Sequence, residues 1–134
     1  MALAFSTTLR TARAQAIITA AGASAKMKFY DGTRPASGAA ITSQTLLGTM
    51  TAGATLGTAT SGTLDFDESG FTQSNGSHVN GTPTWVRITT SADVFVADLS
   101  IGSDMTFTGT ISTGVNITLC LLYTSDAADD LLCV

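Results

Sequence analysis

The sequence predicts a mainly β fold: an antiparallel β-sandwich, jelly-roll or Ig-like, preceded by one N-terminal α-helix. Three observations predict it. A helical apolar period is confined to the stretch before Gly22, alternation takes over after it, and turn dipeptides separate the short alternating runs that follow. Composition agrees. Thr and Gly replace large core-formers, and much of the 44% hydrophobic content is Ala, a mix that suits strands and turns better than long helices. A chain of 134 residues is the size of a single domain with one core.

Residues 6–21 read as the helix, making 1–22 an N-terminal helical segment. Ser6 is a good N-cap and Gly22 suits the position just past the end. Phe5, Leu9, Ala12, Ala16 and Ala20 recur every three or four residues and form one narrow apolar stripe. Because the stripe is mostly Ala, it permits close approach but buries little area, so the helix must lean on its own sheet or on a neighbouring subunit. Arg10 and Arg13 are read onto the polar side. The same stretch, with Ala23-Ser24-Ala25 after it, has some features of a secretory leader. Gln15 and Thr19 interrupt the apolar run, and the amphipathic helix is the better account.

The sandwich is expected over 23–119. Lys26–Tyr30 alternates and stops at Asp31-Gly32, and 34–43 is a loop containing Pro and Ala. Thr45–Thr51 and 63–68 read as strands, with the intervening 52–62 too poor in bulky residues to assign. Ser69-Gly70, Asn75-Gly76 and Asn80-Gly81 place one long surface loop over 69–83. Thr84–Thr90 and Asp93–Leu99 form a hairpin across Ser91-Ala92, with Trp85 and Arg87 on one face and Val86 and Ile88 on the other. Strands over 105–107 and 115–119 complete a set of about seven or eight, the spacing of a sandwich or barrel.

From Cys120 the texture changes abruptly. Residues 120–134, Cys-Leu-Leu-Tyr-Thr-Ser-Asp-Ala-Ala-Asp-Asp-Leu-Leu-Cys-Val, back-translate into a sequence that resembles the transposon-end adapter used in DNA sequencing libraries. The expectation is a non-native tail, with the natural gene truncated near Leu119. Both cysteines, Cys120 and Cys133, then fall in the tail and support neither a disulfide framework nor a metal site. Removing Asp126, Asp129 and Asp130 from the formal charge of −4 leaves −1.

This charge is not the basic footprint of a nucleic-acid binder or of a polybasic membrane contact. No run approaches the roughly eighteen consecutive apolar residues of a bilayer span. His78, the sole histidine, has Ser77 beside it and Asp65, Asp67 and Glu68 upstream. No nucleophile-elbow pattern surrounds any serine, so His78 reads as a polar residue on an exposed glycine-rich loop. The acidic run from Asp65 does not complete an EF-hand and is explained as a solvated strand face. Asn75, Asn80 and Asn116 begin formal glycosylation patterns, better read as turn chemistry for the first two. Trp85, Phe29, Tyr30 and Phe71 make either a sugar-stacking platform or, preferably, buried core. No catalytic, cofactor-binding or metal residue is assigned.

Several segments look alike in order to a known family: Phe5-Ser6-Thr7 with Arg10-Thr11-Ala12, Ala21 to Lys26, Tyr30-Asp31-Gly32-Thr33-Arg34-Pro35-Ala36, Leu46-Leu47-Gly48-Thr49-Met50, and Gly81 to Ile88. Across essentially 3–119 the chain resembles small, mostly uncharacterised proteins encoded in tailed-phage and prophage structural gene clusters. That resemblance implies a non-enzymatic virion component, a capsid decoration or a neck or tail part. Such a protein is made in the bacterial cytoplasm and carried in the virion. Its partners are copies of itself or other virion proteins, with no cofactor, nucleic acid or membrane. The expected contact residues are Phe5, Leu9, Ala12 and Ala16 on the helix and Asn75, His78 and Asn80 on the long loop. The alternative is a surface-binding carbohydrate or adhesion module using Trp85 and loop residues.

Overall fold

A computed structural model describes residues 5–36, 38–66, 70–105, 107, 109–117 and, for the backbone alone, 122–124. The fold is mainly β with one N-terminal helix, as the alternation predicts. The helix, α1, spans Thr7–Ala21. Among the described residues eight strands follow: β1 Lys26–Tyr30, β2 Leu46–Thr51, β3 Gly57–Thr60, β4 Thr63–Phe66, β5 Thr72–Gln73, β6 Trp85–Thr89, β7 Phe95–Ser100 and β8 Leu122–Thr124. They form a five-stranded sheet in the order β5-β2-β1-β6-β7 and a three-stranded sheet in the order β3-β4-β8. Every strand pair is antiparallel.

One apolar core joins the two sheets and the helix. Met27, Phe29, Met50, Val86 and Ile88 enter it from the larger sheet and Leu64 and Phe66 from the smaller. Their alternation with Lys26, Lys28, Arg87 and Asp65 reflects the pleat, which sends successive side chains to opposite faces. Ser6 caps α1, its Oγ accepting from Leu9 N at 3.1 Å, and Gly22 ends the helix at φ +72° while donating to Ile18 O.

The inward face of α1 differs from the predicted stripe. Ala14, Ile18 and Ala21 are buried, with Ile17 partly so, whereas Leu9, Ala12, Ala16 and Ala20 are exposed. The physical reason is area: the two isoleucines remove far more apolar surface from water than a row of alanines, and Ala14 and Ala21 beside Ile18 let α1 sit close to the strands. Thr11 Oγ1 anchors this face by accepting from Gly62 N at 2.7 Å. Arg10 accordingly lies over Gly62 on the domain side, and Arg13 stacks on the Phe5 ring at 4.8 Å.

Other differences concern segments with weak local signals. The low-bulk stretch 52–62 supplies β3, where only glycine fits at position 57, since a Cβ there would lie 2.2 Å from Asp65 O. The long loop contains β5 and a 3-10 turn at Asn75–Ser77, and it buries His78 and Pro83. Met105 makes only an isolated bridge with Ile101, and Val115–Ile117 are irregular. Thr106, Thr118 and Leu119, from the same two expected strands, lie outside the described residues, as do Asp67 and Glu68 of the expected 63–68 strand. In place of those strands, β8 falls within the expected adapter-encoded tail and pairs with β4.

Candidate functional site

Two surfaces carry the predicted contact residues. On the first, Leu9 is 45% exposed and continues through Ala12, Ala16 and Ala20 along the solvent side of α1. Phe5 is half-buried beneath Arg13. The structure thus brings Leu9, Ala12, Ala16 and Ala20 onto one outward stripe, opposite the face that holds the helix to the domain.

The second surface is the loop around His78. Here Asn75, His78 and Asn80 do come together, and each makes a side-chain hydrogen bond to the segment 111–117. Asn75 Nδ2 donates to Asn116 Oδ1 at 2.7 Å and Asn80 Oδ1 accepts from Thr113 N at 2.9 Å. Thr113 Oγ1 donates to His78 O. Gln73 closes the far end with both amide atoms, accepting from Ile117 N at 2.6 Å and donating to Ile117 O at 3.1 Å. Gly81 and Ile111 exchange both backbone bonds. The segment is therefore held largely by side chains of 73–80 rather than by a ladder.

His78 is 3% exposed, which overturns its reading as an exposed loop residue. Burial is possible because Gly48 has no side chain; a Cβ there would stand 3.1 Å from His78 Cδ2 and 3.0 Å from Ile117 Cδ1. His78 Nδ1 lies 3.1 Å from Val115 O. A carbonyl only accepts, so Nδ1–H is the donor of this bond. Nε2 has no hydrogen-bond partner. Where β5 leaves β2 after two residues opens a cleft of about 310 Å³ lined by Leu46, Gly48, Thr49, Thr51, Thr72, Gln73, Ser74, Ser77 and His78. Its lining is hydroxyl- and amide-rich and contains no Asp, Glu, Lys or Arg.

A second polar and aromatic cluster covers the outer face of the larger sheet. Trp85 is fully buried, stacked on Tyr30 at 4.6 Å and donating from Nε1 to Asp31 O at 3.2 Å. The Arg87 guanidinium lies against Trp85 and Phe95 at 5.4 and 5.3 Å and grips Asp98 through Nε and a terminal nitrogen at 2.8 and 3.0 Å. The hydrogen bond to Asp98 holds the Arg87 proton more tightly than usual, against the opposing effect of burial. Arg87 also donates to Ala39 O, and Gly38 N donates to Asp98, so this cluster pins the 31–45 loop. At the hairpin, Lys28 and Lys26 both contact Asp93 Oδ1, at 2.9 and 3.0 Å, and their hydrogen bonds hold its carboxyl below the usual range.

The preferred core reading of the aromatics agrees with the burial of Phe29, Tyr30 and Trp85, though Trp85 and Tyr30 form a separate small core on the outer face and Phe71 is only partly buried. Asp65 is an exposed strand residue. Among the described residues no group of three or more His, Cys, Asp or Glu is placed to hold a metal ion, and no helix is long and apolar enough to cross a membrane. Sequence reasoning missed Gly48, Gln73 and the 111–117 segment as partners of His78. The only local trace was that Asn75 and Asn116, now bonded to each other, both begin formal acceptor patterns. Compared with protein-family models, curated proteins and solved structures, the chain matches none.

Proposed function

We propose that this chain is a non-enzymatic structural protein of a tailed-phage virion, a capsid decoration or a neck or tail component, working through protein–protein contacts. The observation that carries the reading is the outward stripe of α1. The helix is already anchored by Ala14, Ile18 and Ala21, so Leu9, Ala12, Ala16 and Ala20 are left over by the fold. A row of small side chains with one Leu lets a second backbone approach closely, and repetition of one such patch is how symmetric assemblies form. The partners on this reading are other copies of the chain or other virion proteins, and the location is the virion.

The rival reading, a carbohydrate or adhesion module, rests on Trp85 and loop residues. Trp85 lies beneath Tyr30 and Arg87, so that reading would have to rely on the cleft beside His78 instead. Mass spectrometry of purified phage particles decides between the two. Tryptic peptides covering residues 35–87 at many copies per particle are the expected result; their absence from well-covered particles would sink the virion role.

A further inference from the structure

We infer that the cleft between β2 and the stretch 72–78 binds one neutral sugar ring. Its volume of about 310 Å³ lies at the low end of the roughly 300–1,000 Å³ of small-molecule sites, room for a single ring. The hydroxyls of Thr49, Thr51, Thr72, Ser74 and Ser77 line it from β2, from β5 and from the turn that follows, and among the described residues none of these side chains has a hydrogen-bond partner. A hydroxyl both donates and accepts, so a converging set of them matches a ligand whose own groups do the same. Leu46, 41% exposed, and Gly48 complete the lining with apolar surface, the counterpart of the C–H face of a sugar ring.

Charge excludes other classes of ligand. No Asp, Glu, Lys or Arg lines the cleft, so a phosphate, carboxylate or ammonium group would find no counter-charge there. Lys28 and Lys26, opposite Thr49 and Thr51 in the β1–β2 register, are both drawn to Asp93. The hydroxyls are also held in place before any ligand arrives. β2 is laddered to β1, and Gln73 is fixed by both amide atoms to Ile117, which lowers the ordering cost of binding. The cleft lies at the β5 edge of the larger sheet, whereas α1 touches that sheet mainly at β7, the opposite edge. Binding therefore leaves the outward stripe of α1 free, and the site does not rest on the virion role.

Chemical-shift titration of the full chain by NMR tests this, with D-glucose, D-galactose, D-mannose and N-acetyl-D-glucosamine as separate probes and inorganic phosphate as the charged one. At least one sugar is expected to give saturable shifts at the amides of Thr49, Thr72, Ser74 and Ser77, with an affinity in the millimolar range, and phosphate none there. Thr49→Val combined with Thr72→Val keeps the β-branched shape and removes two of the hydroxyls. This double variant should bind that sugar roughly tenfold more weakly. Absence of saturable shifts with every sugar overturns the site, as do shifts centred away from the cleft, stronger binding of phosphate, or equal affinity in the double variant. Should that variant not fold, the wild-type shift map decides alone.

Discussion

An added Cβ at Gly48 meets Ile117 Cδ1 at 3.0 Å and the His78 ring at 3.1 Å, and both neighbours are buried. Gly48→Ala is therefore expected to cost about 1–3 kcal/mol by overpacking, seen as a lower urea midpoint with an unchanged slope. The same small change at Gly76, where an added Cβ meets nothing within 4 Å, should be far milder. Asp93 answers a different question at this scale. Lys28 and Lys26 hold its carboxyl below the ordinary value in the folded chain. Its contribution is thus fully present above the unfolded carboxylate range and is lost as pH falls through the lower folded value. The carboxyl is exposed and salt screens it, so Asp93→Asn should flatten only a shallow acid-range slope in stability. A carboxyl titration of Asp93 by NMR at or above the ordinary value would contradict the ion-pair account.

At the scale of the element, α1 has two apolar faces with different duties, and substitution separates them. Ile18 is buried among the strands, so Ile18→Ala should cost about 2–4 kcal/mol in chemical unfolding. Leu9 is nearly half exposed, so Leu9→Asp should change stability by no more than about 0.5 kcal/mol. On the virion reading, the same Leu9→Asp change removes the chain from particles while leaving it folded. Unchanged incorporation would remove the helix from the contact surface, and a large loss of stability would mean that Leu9 also holds the fold.

At the scale of the molecule, the three-stranded sheet is completed by β8, which pairs with β4 at Thr63, Leu64 and Asp65. Ending the chain at Leu119 removes that strand and leaves a row of unpaired backbone groups on β4. Such a chain should associate in a concentration-dependent way in size-exclusion chromatography, where the full chain does so less. Equal behaviour of the two would show that the β4 edge is protected by something other than β8.

The elements with strong local signals were legible in the sequence by themselves. Ser6 and Gly22 bracket the helix because capping is a matter of adjacent backbone groups. Lys26–Tyr30 and the β6–β7 hairpin show through alternation because one face of each is buried and the pleat has period two. Hence the mainly β class with a single leading helix could be read before any coordinates. What tertiary structure decided was everything that depends on partners distant in sequence. The spacing of Phe5, Leu9, Ala12 and Ala16 reveals a stripe but not which way it faces, and Ile18 won the inside because the strands offered it more buried area. β3, Gly-Thr-Ala-Thr, exists through pairing with β4 rather than through side chains of its own that pack. The strand order β5-β2-β1-β6-β7 brings residues far apart in the chain side by side. His78 shows the same limit. Its glycine-rich neighbourhood signals a turn, whereas its burial depends on a missing side chain at Gly48 and a carbonyl at Val115, thirty and thirty-seven residues away along the chain.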